Sequence, residues 1–208
     1  MSASVHPSRR PRKGELTRHA ILEKASSLAS RVGLEGVTIG RLADDLDLSK
    51  SGLFAHFQSK EALQEQVLLF ASERFIEAVV RPALGAPRGE PRVRAFFERW
   101  LAWPKVVPQP GGCLFMAVAA ELDDRPGAAR DRLAKLQRDW RATLARAAAV
   151  AKEEKHFRAD LDPEQFAFEE HGIMMSCQFS SRLLRDAKAT ERARDAFERL
   201  IESSRARR

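Results

Sequence analysis

The sequence predicts an all-α protein. A three-helix N-terminal head carrying a helix-turn-helix is joined by a helix to a larger helical domain. Three observations predict this. Apolar residues recur at helical spacing along most of the chain, with no strand-like alternation. N-cap and turn residues punctuate that pattern. The stretch Thr38 to Leu63, TIGRLADDLDLSKSGLFAHFQSKEAL, reads as two short helices around a tight turn, followed by a freshly capped third helix.

The first helix is expected over Thr17 to Arg31, with Ile21, Leu22, Ala25, Leu28, Ala29 and Val32 as its apolar stripe. Gly33 and Gly36 break the chain before Thr38, which caps the next helix. Ile39, Leu42, Ala43 and Leu46 recur at helical spacing, and Asp47-Leu48-Ser49 interrupts them with a turn and a second N-cap. Leu53, Phe54 and Phe57 then resume an apolar face. Ser49, Lys50, Ser51 and Ala55 are left pointing outward, small or basic. A helix entering the DNA major groove needs that division: one anchored face, and one slim enough to approach base edges.

Ser59 caps a longer helix with Glu61 in its first turn, continuing through Leu68, Phe75 and Val79 and ending at Pro82. Gly85 to Pro91 is a loop by composition. Helices are then expected over Arg92 to Trp103, Cys113 to Leu122, and Pro126 to Lys152. A break at Pro108-Gln109-Pro110-Gly111-Gly112 separates the first two. Asp162-Pro163-Glu164-Gln165 is a strong start signal for a helix to Arg185, and Thr190 to Ser203 closes the chain.

The segment of residues 14 to 68 resembles the head of the tetracycline-repressor (TetR) family of bacterial transcription regulators. The residues that carry the resemblance are Thr38, Leu42-Ala43, Leu48-Ser49, Leu53-Phe54, His56-Phe57 and Ser59 to Leu63. It implies a sequence-specific DNA-binding regulator, a repressor released from a palindromic operator by a small effector, and a protein that is not an enzyme. Carried over, His56 and Lys60 match phosphate-contacting positions, while Thr38 as an N-cap lets its helix end present backbone N–H groups to a phosphate. Ser49, Lys50, Ser51, Phe54 and Ala55 lie on or beside the groove-facing surface. Phe54 stands where the family most often has Tyr, so a hydroxyl that commonly reaches the DNA backbone is absent. Gly52 inside the recognition helix costs about 1 kcal/mol of helix propensity.

Charge agrees with a polyanionic partner without demanding one. The 208 residues carry a formal +7, and residues 1–60 hold 10 Lys or Arg against 6 Asp or Glu. Arg9-Arg10-Pro11-Arg12-Lys13 makes residues 1–13 a basic arm, expected to be disordered in the free protein and to contact phosphate on DNA. The head is placed at 14–65 and the effector and dimerisation domain at 66–208. No apolar h-region follows the basic arm and no run of about 18 apolar residues exists. Two cysteines make no disulfide framework. A cytoplasmic protein without a membrane span is expected.

One recognition helix reads too few bases, so a homodimer on two half-sites is expected, paired through the last two helices. Phe166, Ile173, Met174, Cys177, Phe179, Leu183 and Leu184 on one, with Ala193, Ala196, Phe197, Leu200 and Ile201 on the other, are more apolar than one thin layer needs. The effector is expected to be small and mostly apolar or aromatic. Its candidate walls are Phe97, Trp100, Phe115, Met116, Trp140, Met174 and Met175, with Glu121, His171 and Gln178 as possible polar anchors. Cys113, at an expected helix start where the dipole would lower a thiol pKa, offers an alternative as an electrophile or oxidant sensor. No metal-ligand spacing, cofactor motif or catalytic signature is present. The alternatives from other classes are a non-specific DNA architectural protein and a helical enzyme. Neither accounts for both the head and the large apolar second half.

Overall fold

The computed structural model describes residues 13–107 and 110–206. Within them the helices are α1 (Lys13–Val32), α2 (Ile39–Leu46), α3 (Lys50–Phe57), α4 (Lys60–Phe75), α5 (Arg81–Leu84), α6 (Glu90–Val106), α7 (Leu114–Ala117), α8 (Ala119–Leu122), α9 (Ala128–Glu153), α10 (Pro163–Arg182) and α11 (Ala189–Ser204). No strand occurs among the described residues. The basic arm before Lys13, and Pro108 and Gln109 of the expected break, lie outside them.

Local chemistry sets the helix starts. Thr38, Ser49 and Ser59 each accept a hydrogen bond from the amide three residues on. The Asp162 carboxylate accepts from the amides of Glu164 and Gln165, with Pro163 at the first helical position. The α2–α3 turn closes through Asp47, a non-glycine residue with φ of 53°, which Asp tolerates better than most.

Several boundaries depart from expectation: α1 starts at Lys13 and α6 at Glu90, both earlier than the sequence pattern suggests, and the largest change is at Pro82. Pro82 does not end the helix. The chain passes from α4 through a π-helical turn, Ile76–Val80, and continues through Pro82 to Leu84. The Arg81 amide reaches back five residues to the Ile76 carbonyl. Pro82 has no amide hydrogen to donate, so it can follow that wide turn without leaving an orphaned donor. Further on, the expected helix from Cys113 to Leu122 is split at Val118 into α7 and α8.

Apolar burial is continuous from head to body. Leu42, Leu53 and Phe57 close the head against Ile21, Leu22 and Ala25 of α1. The α4 helix packs on α1 on one side and on α9 on the other, while α7 packs on α1. One core therefore runs from Ile21 to Ile201.

Glu170 of α10 is fully buried in that core, and neither carboxyl oxygen has a partner. Burial pushes its carboxyl well above the ordinary range, so the folded state keeps the proton. The unfolded state ionises above about pH 4.5 and thereby gains relative to the folded one. The Glu170 contribution to stability is thus most favourable below that pH and falls as pH rises toward the elevated folded pKa. Glu170→Met, of similar size, removes this loss. The variant should be about 1–3 kcal/mol more stable than the parent at pH 8, with a smaller gap at pH 5, in urea unfolding. A gap that shrinks with rising pH would show that Glu170 is stabilising as a carboxylate.

Candidate nucleic-acid interface and ligand cavity

On α3, Leu53 and Phe57 are buried, Ser51 and Ala55 face away from them, and Lys50, in the first turn, and Phe54, at the flank, are also exposed. Ser49 Oγ accepts from the Gly52 amide at 3.0 Å and lies 3.2 Å from Ser51 Oγ. A Cβ on Gly52 would approach Ser49 Oγ to 3.0 Å, so the glycine leaves the cap clear. The Lys50 side chain lies alongside Gly40 of α2, where a Cβ would meet Cε at 3.6 Å. Thr38 Oγ1 caps α2 by accepting from the Arg41 amide at 3.2 Å. His56 is half-buried at the end of α3, its ring 6.2 Å from that of Phe57.

Lys60 is not a free cation. Its Nζ donates to Glu35 at 2.7 Å, and Gln64 donates to the other oxygen of the same carboxylate at 3.1 Å. These bonds, that from Lys60 foremost, hold the Glu35 carboxyl below its usual range. A phosphate at Lys60 would have to share it with, or take it from, Glu35. Sequence spacing carried no sign of this, because Glu35 lies 25 residues away in the turn after α1.

That turn is held from the body. The Glu121 carboxylate of α8 accepts from the amides of Leu34 at 2.8 Å and Glu35 at 2.6 Å. It is therefore a clamp between domains and not a wall of the cavity. Hydrogen bonds to a charged group contribute about 1.5–3 kcal/mol each at most, less here because the site is partly exposed. Gly33, with φ of 75°, makes the clamp possible: a Cβ there would sit 2.1 Å from Glu121 Oε2. Gln178 of α10 reaches the Gly111 carbonyl at 3.4 Å, so it too braces a loop.

A cavity of about 250 Å3 opens between α4, the π turn, α6, α7, α9 and α10. Trp100, Phe115, Met116 and Trp140 line it, together with Phe75, Ile76, Leu136 and His171. Three expected wall residues do not. Phe97 is wholly buried and stacks on Phe197 with ring centroids 3.9 Å apart. Met174 is wholly buried but is not among the cavity's lining residues. Met175 is 52% exposed on the outer side of α10. One residue of rotation along a helix moves a side chain by about 100°, so neighbours on α10 part company. Phe75 was missed as a wall because the π turn that follows it is invisible in the hydrophobic pattern.

Cys113 lines the cavity but is 3% exposed, and burial pushes its thiol up to about 11. Two backbone hydrogen bonds, from Met116 and Phe115, oppose that shift without overcoming it. The expected lowering at a helix start does not occur, since α7 is only four residues long and the thiol is dry. Among the described residues, no cluster of three His, Cys, Asp or Glu could hold a metal ion, and no helix is long and apolar enough to cross a membrane.

A capped helix-turn-helix, its outer face small and basic, fused through one helix to a helical body with an aromatic cavity, defines a DNA-binding transcriptional regulator. Comparison with known proteins agrees. Residues 21–67 match the bacterial regulatory proteins of the tetR family, and residues 89–197 match the tetracyclin repressor-like C-terminal domain. The chain belongs to the TetR family. No curated protein matches it by sequence. Among solved structures it is similar to a TetR transcriptional regulator from Chloroflexus aurantiacus (24% identity, 92% of this chain and 96% of that one, TM-score 0.82). It is also similar to a protein from Saccharomonospora viridis solved with choline (21% identity, 93% and 99%, TM-score 0.80). A third similar structure is AibR with isovaleryl coenzyme A and operator DNA (23% identity, 77% and 85%, TM-score 0.65).

Proposed function

We propose that the protein is a homodimeric repressor that leaves a palindromic operator when a small ligand enters the aromatic cavity. One observation carries this: the cavity wall and the clamp on the DNA-binding head are parts of one short run of chain. Phe115 and Met116 line the cavity, and Glu121, five residues beyond Met116, holds the turn at Leu34 and Glu35. A ligand that displaces α7 pulls on that turn, and through Glu35 on Lys60. A coupling of only about 1–3 kcal/mol would weaken operator binding about 5- to 150-fold.

In this reading Lys50, Ser51, Phe54 and Ala55 face the bases, with Ser49 as the cap beside them. Thr38, His56 and Lys60 take phosphates, and the head meets the body near residue 65, inside α4. Support for dimerisation comes from α10. Phe168, Gly172, Met175, Ser176 and Phe179 fall on one face of it, with Leu183 just beyond its end, and Phe168, Met175, Phe179 and Leu183 are exposed large apolar residues. Gly172 and Ser176 there would admit a close partner helix. Phe166, Phe197 and Ile201, also expected at the interface, are instead buried within the chain. AibR, of the same fold, is seen on operator DNA.

The test is fluorescence anisotropy with DNA from immediately upstream of the protein's own gene, against excess random DNA across a salt series. Tight, competitor-resistant binding with two protomers per step is expected. Equal, steeply salt-dependent binding to every DNA would overturn a specific regulator at that site.

A further inference from the structure

The cavity's walls are almost wholly apolar. Phe75 meets Trp140 edge-on at 4.9 Å and Phe115 edge-on at 5.9 Å, with Trp100, Ile76, Val80 and Leu136 around them. Two of the lining residues carry a buried polar atom without a partner. Trp140 is 8% exposed and its Nε1–H has no acceptor, and His171 Nε2 has no partner either. Both atoms are packed out of solvent contact, and buried polar groups left unpaired cost about 1–3 kcal/mol each, so a ligand that draws either ring toward the cavity and pairs it recovers that cost.

Ser72, Gln137, Asp139 and Thr143 are the other polar walls, and two of them are engaged with neighbours on α9. Thr143 donates to the Asp139 carbonyl, and the Asp139 carboxylate holds Lys135 at 2.6 Å. Among the described residues Asp139 is the one lining carboxylate, and its pair with Lys135 lies toward solvent. Burial and the nearby Arg141 charge lower the His171 pKa, which leaves a neutral imidazole near pH 7. Size narrows the class further. A cavity of about 150 Å3 takes benzene. At about 250 Å3 this one has room for a fused pair of rings or a substituted single ring.

We propose that the cavity selects a flat, aromatic-sized molecule bearing a carbonyl or carboxyl oxygen, which accepts the hydrogen bond of Trp140 Nε1 and engages His171 Nε2. A bare hydrocarbon leaves both groups unpaired. A quaternary ammonium sets a positive charge against the N–H of Trp140. The inference rests on the cavity being the effector site and adds the chemistry it reads.

The test uses the full-length protein and four probes on one ring system: 2-naphthoate, 2-naphthamide, naphthalene and trimethyl(2-naphthyl)ammonium. Calorimetry with protein injected into ligand reads each affinity. The amide or the acid, or both, should bind about ten-fold tighter than naphthalene, with the ammonium weakest. Trp140→Phe keeps a ring and removes the N–H. It should erase that ten-fold advantage and leave naphthalene affinity nearly unchanged. Comparing acid with amide tells whether the oxygen must be charged. Naphthalene binding as well as the amide, or the ammonium binding best, overturns the oxygen-acceptor class while leaving the cavity as a binding site. Binding of none of the four overturns both this class and the cavity as an effector site.

Discussion

Gly111→Ala should cost about 3 kcal/mol or more of stability, far beyond an ordinary surface substitution. Gly111, ahead of α7, lies directly on the last turn of α1. A Cβ at Gly111 would fall 1.4 Å from the Ser30 carbonyl oxygen, 2.0 Å from its carbon and 2.6 Å from the Arg31 nitrogen. All three are backbone atoms of a helix end, so no rotamer change relieves the clash. The loop must lift, and with it goes the bond from the Gly111 amide to Ser30 Oγ at 3.1 Å. Ser30 is then left buried with one partner fewer. Thermal unfolding should show a midpoint lower by about 6–12 °C. Gly14→Ala is the control, since nothing lies within 4 Å of its added Cβ. A loss below about 1 kcal/mol for Gly111→Ala would show that the loop does not sit on α1 in solution.

Phe179→Asp should separate the proposed dimer and weaken operator binding by about 100-fold or more, without unfolding the chain. The side chain is 55% exposed within one chain, so its replacement removes little of the chain's own core. In a two-fold interface the same patch meets itself, and one substitution places two charges in apolar surroundings. About 2.7 kcal/mol suffices for a 100-fold loss, within the range of a single central interface residue. Light scattering gives the mass and circular dichroism the helix content. A variant that stays dimeric and binds operator like the parent would move the interface off α10.

Much of the head is legible in the order of its residues. Thr38, Ser49 and Ser59 there, like Asp162 in the body, announce helix starts because capping needs only a side chain and an amide two or three residues away. The alternation of Leu53 and Phe57 with Lys50, Ser51 and Ala55 assigns the faces of α3 for the same local reason. In the body, four of the seven residues expected on the cavity wall line it. Phe97, Met174 and Met175 do not, since aromatic and Met side chains suit a core, a cavity or an interface equally well.

By itself the sequence determined the all-helical class, the capped helix-turn-helix, and the family through the motif between Thr38 and Leu63. Those are short-range properties, decided by residues within one or two helical turns of each other. Only the tertiary structure decided that Glu35 occupies Lys60, that Glu121 grips the turn after α1 from 86 residues away, and that a π turn follows Phe75 at the cavity wall. It also decided that the Cys113 thiol is raised and not lowered. Each of these depends on which distant surfaces meet and how dry they become. Hydrophobic periodicity says that a face is buried, but not what buries it.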